Sequence, residues 1–123
     1  MKVLNIGIIG FGGMAAYHHQ CLKSHDKYHF VGVFDVNPHR MLEAEKLGLK
    51  AYPSKDALLS DAAIDLVLIA TTNEVHAELA QEAMRIGKHV LCEKPVTLNS
   101  KELMDTMAVA KATQKIFSIN QNR

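Results

Sequence analysis

A glycine-rich turn near the start of the chain has the residue types needed to hold a phosphate group. Residues 10–15 read Gly-Phe-Gly-Gly-Met-Ala, a G-x-G-x-x-A pattern that follows an apolar run. Gly10 permits a tight turn, Gly12 lets the backbone approach a pyrophosphate, and Ala15 keeps the next helix close to a sheet. Free amides at the start of that helix favour an anion. A glycine bend that binds nothing is the alternative, because the pattern alone is weak.

A carboxylate follows at the distance that such a turn requires. Asp35 lies 20 residues beyond Ala15, at the end of the next apolar run. Dinucleotide-binding chains carry an acid at this spacing for the ribose hydroxyls. Its charge would repel a 2′-phosphate, which predicts NAD over NADP, although His39 and Arg40 are close enough in sequence to weaken that preference. In the alternative interpretation, Asp35 is only a residue at the start of the following helix.

Two later apolar runs also end in polar residues. Residues 71–73, Thr-Thr-Asn, follow one run, and His76 lies three positions further on the inward face of the next helix. These side chains are expected to line a cofactor crevice, with helix capping and a packed histidine as the alternative. Glu93 and Lys94 follow the other run and place an acid and a cation where proton transfer could occur. From spacing alone, a surface ion pair before a proline is the slightly better interpretation of that pair.

The elements that must position these residues alternate along the chain. Apolar runs predict strands at 3–9, 29–35, 50–53, 65–70, 88–92 and 116–120. Helical segments separate them, so the strands are expected to be parallel and covered on both faces. The predicted fold is a doubly wound, six-stranded α/β sheet in three αβα layers. Ligands of such sheets bind beyond the carboxyl ends of the strands, which is where the polar residues above are found.

Local signals predict where the helices lie. One helix is expected over 14–24, and Asn37 with Pro38 predicts the start of another, which Gly48 ends. Ser54 predicts the cap of a short helix through Leu59. An inward stripe is predicted for the next helix at His76, Leu79, Ala80 and Ala83. The last helix, with a capping box at Asn99 and Glu102, carries an apolar set at Leu103, Met107 and Ala110. The methionines are expected to lie mainly on packed helix faces.

Composition excludes several classes of protein. The 123 residues predict one domain, residues 1–123, and a net charge of +1 without long charge runs argues against nucleic-acid binding. No apolar segment reaches the roughly 20 residues that span a bilayer. The start of the chain lacks the pattern of a signal peptide, and Cys21 and Cys92 are far apart, so a cytoplasmic protein with reduced core thiols is expected. His18 and His19 are adjacent and cannot chelate one ion together, and no metal site is predicted.

Three segments resemble the Gfo/Idh/MocA oxidoreductases, the relatives of glucose-fructose oxidoreductase and inositol dehydrogenase. They are the turn from Gly7 to Ala15 with His18, the run TTNEVHAELAQEAMRIGKHVLCEKP at 71–95, and INQNR at 119–123. The resemblance covers essentially the whole chain. The middle segment is its most specific part, because the glycine turn adds little specificity by itself.

The resemblance implies an N-terminal Rossmann domain that binds NAD, the preferred cofactor, or NADP. Lys94 is then expected to reach the nicotinamide ribose and the substrate and to assist proton transfer. Glu93 and Asn73 would line the cofactor site, and Gln121 to Arg123 would close it. Where the family often has Thr-Pro-Asn, this chain has Thr at position 72, which predicts a more flexible turn. The residues expected to contact the cofactor are Gly10, Phe11, Gly12, Gly13, Met14, Asp35, Thr71, Thr72, Asn73, His76, Glu93, Lys94 and Gln121.

The resemblance also implies an activity that needs more than this domain. Enzymes of the family transfer a hydride between nicotinamide and a sugar, an inositol or a related polyol. A second domain supplies an acid/base residue, the substrate pocket and the oligomer interface. That domain is expected to be absent from this chain, which would then bind cofactor without turnover and form homo-oligomers only through the missing part. A non-catalytic dinucleotide-binding or redox-sensing module and an NAD-dependent glycosidase are the alternatives.

Overall fold

The structure is a computed structural model that describes residues 3–10, 27–70, 76–92 and 100–119. The strands in these ranges are β1 (Leu4–Ile9), β2 (Tyr28–Phe34), β3 (Lys50–Ala51), β4 (Leu66–Ile69), β5 (His89–Cys92) and β6 (Phe117–Ile119). The helices are α1 (Pro38–Lys46), α2 (Lys55–Leu59), α3 (His76–Arg85) and α4 (Ser100–Thr113). The helix predicted over 14–24 lies outside the described residues. None of the helices within them is long and apolar enough to cross a membrane.

The six strands form one sheet in the order β3-β2-β1-β4-β5-β6, and every neighbouring pair is parallel. The predicted doubly wound fold is therefore confirmed. Strand order reverses between β1 and β4, since the chain moves to one side of β1 first and to the other side afterwards. A crevice opens at such a reversal, outside the carboxyl ends of the strands. The residues that follow β1, β2 and β4 are therefore the candidates for a ligand-binding site.

One hydrophobic core lies on each face of the sheet. The larger core takes Leu58 and Leu59 from α2 and Leu79, Ala80 and Ala83 from α3. The inward stripe predicted for α3 is therefore confirmed for its last three members. The second core holds Ala44 of α1 together with strand residues such as Ile8 and Val33. The central strand β1 contributes to both cores, as expected for a parallel sheet buried on its two faces.

The helix signals of α1 and α2 are confirmed. The Asn37 side chain accepts the backbone N–H of His39 at 2.9 Å, and Pro38 occupies the first helical position. Gly48 takes φ +86°, a conformation that glycine adopts at low cost after a helix end. At α2, the Ser54 hydroxyl accepts the N–H of Ala57 at 3.0 Å. These local capping bonds fix where each helix begins relative to the sheet.

The apolar set noted on α4 does not lie on one buried face. Leu103 and Met107 are 40% and 50% exposed, and Met104 is 72% exposed, so the expectation that the methionines pack is wrong for this helix. Ala110 is buried as predicted, but the deepest side chain of this helix is Thr106, at 0% exposure. A hydroxyl can be buried when its hydrogen bonds are made within the protein. Apolar content alone therefore did not indicate which face of α4 lies against α3, nor that two methionines face solvent.

A hydroxyl of α4 joins the last two helices. Thr106 Oγ1 donates to the backbone carbonyl of Glu102 at 2.7 Å and accepts from Gln81 Nε2 of α3 at 3.1 Å. The donor and the acceptor capacities of the hydroxyl are both used. The contact fixes the rotation of α4 about its own axis, which leaves its methionines outside.

A buried lysine ties the loop before β4 to the start of β5. Lys88 is only 5% exposed, and its Nζ donates to the carbonyls of Asp61 at 2.7 Å and Ile64 at 2.8 Å. Burial lowers the pKa of Lys88 from its usual value, with the nearby Asp61 and Asp65 charges opposing that shift. Tyr52 donates its hydroxyl proton to the Asp61 carboxylate in the same loop. This polar cluster precedes β4 and β5, at the end of the sheet opposite the crevice.

Candidate functional site

The ends of the three central strands lie side by side. The N–H of Gly10, just after β1, donates to the carbonyl of Phe34 at the end of β2 at 2.7 Å. The N–H of Ala70, just after β4, donates to the carbonyl of Ile9 at 2.8 Å. These two bonds place the starts of three connecting segments next to one another, at the reversal of strand order. The segments are those that carry the glycine turn, Asp35 and residues 71–73.

Gly10 is in a conformation that favours glycine. Its φ of +89° lies in the left-handed region, which L-residues with a side chain rarely adopt. A φ in this region is what a tight turn directly after β1 would require of Gly10, and the turn itself stays a prediction.

Asp35 follows β2 at the same edge, and its carboxylate is 6% exposed. Its Oδ1 accepts the backbone N–H of Asn37 at 2.8 Å, and its Oδ2 lies 3.8 Å from Nη1 of Arg40. The two interpretations offered by the sequence are therefore compatible, because Asp35 shapes the start of α1 and also stands at the strand reversal. The local bond to Asn37 fixes the orientation of the carboxylate.

Arg40 is close enough to Asp35 to compensate part of its charge. The arginine side chain is 45% exposed, so the guanidinium can move toward a ligand without leaving a packed position. An arginine near the acid after the second strand is also the residue type that accommodates a 2′-phosphate. Arg40 therefore lies beside Asp35, and the weaker preference for NAD that the sequence suggested for it stays a prediction.

Two neighbours of Asp35 were missed by sequence reasoning. Val36, directly after the acid, is 89% exposed. Met41 accepts the backbone N–H of Asp35 on its Sδ at 3.2 Å. The place of Val36 next to Asp35 was the signal available in the sequence for an apolar surface at this edge. Nothing in the spacing of Met41 indicated a bond back to the strand end.

The start of α3 lies on this edge as well. β4 ends at Ile69 and α3 begins at His76, so the helix runs back along the sheet from the carboxyl end. The N-terminus of such a helix carries partial positive charge. β5 ends at Cys92, which pairs with Ile69, and Cys92 is fully buried as predicted.

The remaining predicted site residues lie outside the described residues. They are Phe11, Gly12, Gly13, Met14, Thr71, Thr72, Asn73, Glu93, Lys94 and Gln121, and the side chain of His76. Cys21 and Asn99 lie outside them too. Within the described ranges, no group of three His, Cys, Asp or Glu residues is placed to hold a metal ion.

Known proteins resemble this chain over most of its length. Residues 4–121 match the family model GFO_IDH_MocA, described as an oxidoreductase family with an NAD-binding Rossmann fold. Among curated relatives, the myo-inositol 2-dehydrogenase of Thermotoga maritima is 34% identical over 122 residues. The matched region is 98% of this chain and 36% of that protein.

Two solved structures add to this comparison. An NAD-binding protein from Listeria innocua has 45% identity and a TM-score of 0.93, and the match covers 99% of this chain and 36% of that one. The biliverdin reductase of Synechocystis, in complex with biliverdin and NADP+, has 28% identity and a TM-score of 0.89. There the match covers 95% of this chain and 37% of the other. The chain therefore spans little more than a third of the length of these proteins.

Proposed function

The chain belongs to the Gfo/Idh/MocA family of oxidoreductases, and we propose that it binds NAD or NADP for a dehydrogenase that acts on a sugar, an inositol or a related polyol. The observation that supports this most is the position of Asp35 beside Gly10, the first residue of the glycine-rich segment. The Gly10 N–H bonds to Phe34, the residue before Asp35, across the strand reversal. A phosphate-binding turn and a ribose-binding acid need that adjacency, because one dinucleotide must reach both.

The described residues fit a dinucleotide. Gly10 leaves β1 in the left-handed region, as the turn under a pyrophosphate requires. Asp35 offers a carboxylate for the hydroxyls of the adenosine ribose, and the exposed Val36 offers an apolar surface for the adenine ring. Phe11, Gly12, Gly13 and Met14 are proposed to complete the phosphate contacts.

The chemistry of hydride transfer belongs to the nicotinamide ring when it is bound. We assign to Lys94 the task of orienting the substrate hydroxyl and helping its proton leave. Glu93 and Asn73 are proposed to line the nicotinamide half of the site, together with Thr71, Thr72, His76 and Gln121. The ammonium of Lys94 can donate a hydrogen bond to the substrate oxygen and stabilise the negative charge that develops there. The proton itself is proposed to pass to an acid/base residue in the part of the relatives that this chain does not match.

NAD is proposed as the preferred cofactor, with NADP as a second ligand. Asp35 carries a charge that a 2′-phosphate would meet at close range, which favours NAD. Arg40, at 3.8 Å from that carboxylate, reduces the repulsion and supplies a cation for the same phosphate. The NADP+ complex of the Synechocystis relative is consistent with a family that accepts either cofactor.

The substrate class is proposed from the family and from the inositol dehydrogenase relative. Residues 1–123 are proposed to form the cofactor domain, with substrate binding and oligomer contacts supplied by the part of the relatives that this chain does not match. The chain by itself is then expected to bind cofactor without turnover. Spectrophotometric assays with inositol and NAD should show no reduced nicotinamide from these residues alone.

Calorimetric titration with NAD and with NADP tests the binding proposal. Heat of binding is expected for both, with the lower Kd for NAD. Asp35→Ala should lower the ratio of NAD to NADP affinity, whereas Asp105→Ala, an exposed carboxylate on α4, should leave the ratio unchanged. A folded protein that binds neither nucleotide contradicts the cofactor assignment. An unchanged ratio in the Asp35 variant contradicts only the role of that residue.

A further inference from the structure

The regular hydrogen bonding of β2 stops at the residue where the candidate site begins. The carbonyl of Phe34 still accepts a sheet bond, from Gly10 at 2.7 Å. The next backbone donor, the N–H of Asp35, bonds instead to Met41 Sδ at 3.2 Å. A side chain from the first turns of α1 thus takes the place that a neighbouring strand would occupy.

The residue that makes this bond is anchored at its other end. Met41 is half-buried and packs against the core that contains Ala44 and Val33. Its carbon chain therefore belongs to the hydrophobic contact between α1 and the sheet, while its sulfur reaches back to the strand end. Leucine would supply similar packing, but only the thioether supplies an acceptor.

Two of the contacts of Asp35 link it to α1 and to the residue that caps α1. Its carboxylate accepts the N–H of Asn37 at 2.8 Å, and its own N–H donates to Met41. Asn37 in turn caps α1 by accepting the N–H of His39. The first bond helps to orient the carboxylate and the second helps to fix the backbone that carries it, so both contribute to where a ribose would find its acceptors.

We propose that Met41 is a positioning residue for Asp35, which sets the affinity for the adenosine ribose by holding the backbone of the acid through its sulfur. The proposal rests on the proposed function, since it assigns Met41 to the same nucleotide site. Met41 itself is not assigned a contact with the nucleotide. Its effect on binding passes entirely through Asp35.

The test compares Met41→Leu with a matched control, Met84→Leu. Met84 is 1% exposed in the core on the other face of the sheet, so the control makes the same chemical change in a packed place away from Asp35. By calorimetry, Met41→Leu should raise the Kd for NAD by about twofold to fivefold, which is less than the value of one ordinary hydrogen bond because a thioether is a weak acceptor. Met84→Leu should bind NAD as the wild type does, and selenomethionyl protein, which keeps an acceptor at position 41, should do the same.

A double-mutant cycle separates positioning from packing. In an Asp35→Ala background, Met41→Leu should have no further effect on the Kd for NAD, because the group that it positions is gone. An effect as large as in the wild type would show that Met41 acts by packing, and overturns the proposal. The proposal is also overturned if Met41→Leu alone leaves the Kd unchanged in a protein that binds NAD.

Two further results of these experiments differ from the ones above. If the wild type binds neither NAD nor NADP, the proposed function fails and the role of Met41 fails with it. If Met41→Leu does not fold, hydrogen exchange of the Asp35 amide in the wild type decides. Slow exchange of that amide supports the bond to the sulfur, and exchange at the rate of an open chain refutes it.

Discussion

The carboxylate of Asp35 lies 3.8 Å from the guanidinium of Arg40, and the acid is 6% exposed while the arginine is 45% exposed. Such a pair contributes little to stability, because the arginine is well solvated. In the proposed nucleotide site, this pair lies where NAD and NADP would differ. A buried acid alone would disfavour a 2′-phosphate, and the adjacent exposed cation would offset part of that effect.

Arg40→Gln is therefore expected to separate the two cofactors. Without the cation, Asp35 repels the 2′-phosphate at full strength, so affinity for NADP should fall by about tenfold, as for the loss of one charged hydrogen bond. Affinity for NAD should change little. The measurement is the pair of Kd values by calorimetric titration.

Arg85→Gln is the control for that change. Arg85 is an exposed arginine in the last turn of α3, so its loss alters net charge by the same amount at the far end of a helix. Equal losses of NADP affinity in the two variants would mean that overall charge, and not the place of Arg40, sets the preference.

The local parts of this site could be predicted from the sequence because their causes are local. Asn37 and Ser54 mark helix starts through bonds that span two or three residues, and Pro38 marks one through its fixed φ. The second strand was expected at 29–35 and is found at Tyr28–Phe34. The position of a residue that follows this strand, such as Asp35, is then set by the length of the strand and by its place in the sheet.

The missed features depend on contacts between elements. The bond from Asp35 to Met41 links a strand end to the side of a helix, and no periodicity encodes it. The burial of Thr106 could not be predicted from its own helix, because its hydroxyl accepts a hydrogen bond from Gln81 on the neighbouring helix. The burial of Lys88 was hidden for a related reason, since its two carbonyl acceptors come from a loop more than 20 residues earlier.

Thr106→Val should destabilise the protein by about 1–3 kcal/mol, because both hydrogen bonds of its buried hydroxyl are lost. The change keeps the shape of the side chain but leaves Gln81 Nε2 without this acceptor. Urea denaturation of the purified chain gives the free energy of unfolding. Met107→Gln, on the exposed face of the same helix, should stay within about 0.5 kcal/mol of the wild type. A larger cost at Met107 than at Thr106 would reverse the orientation assigned to α4.

Lys88→Met should cost more, about 2 kcal/mol, because it leaves two carbonyls without the donor they share. Methionine matches the length and flexibility of the lysine chain, so packing is largely retained. Lys101→Met, at an exposed lysine on α4, is the matched control and should be close to neutral. Thermal unfolding followed by circular dichroism would rank the three proteins. Equal midpoints for both variants would show that the Lys88 contacts do not hold the loop.

The raised pKa of Tyr52 predicts how the stability of the protein changes at alkaline pH. Burial, and then its hydrogen bond to Asp61 and the charge of that carboxylate, raise the pKa of Tyr52 well above its ordinary value of 10.0. Above pH 10.0 the unfolded chain loses the tyrosine proton while the folded chain keeps it, so the free energy of unfolding falls as pH rises. The pKa of Lys88 is lowered, so just below its ordinary value of 10.5 the unfolded chain binds a proton that the folded chain does not. Over that range Lys88 makes stability rise with pH, which opposes the effect of Tyr52. Tyr52→Phe should therefore flatten the alkaline loss of stability, measured by urea denaturation on either side of pH 10.0. If the two proteins lose stability in parallel there, groups other than Tyr52 control the alkaline limit.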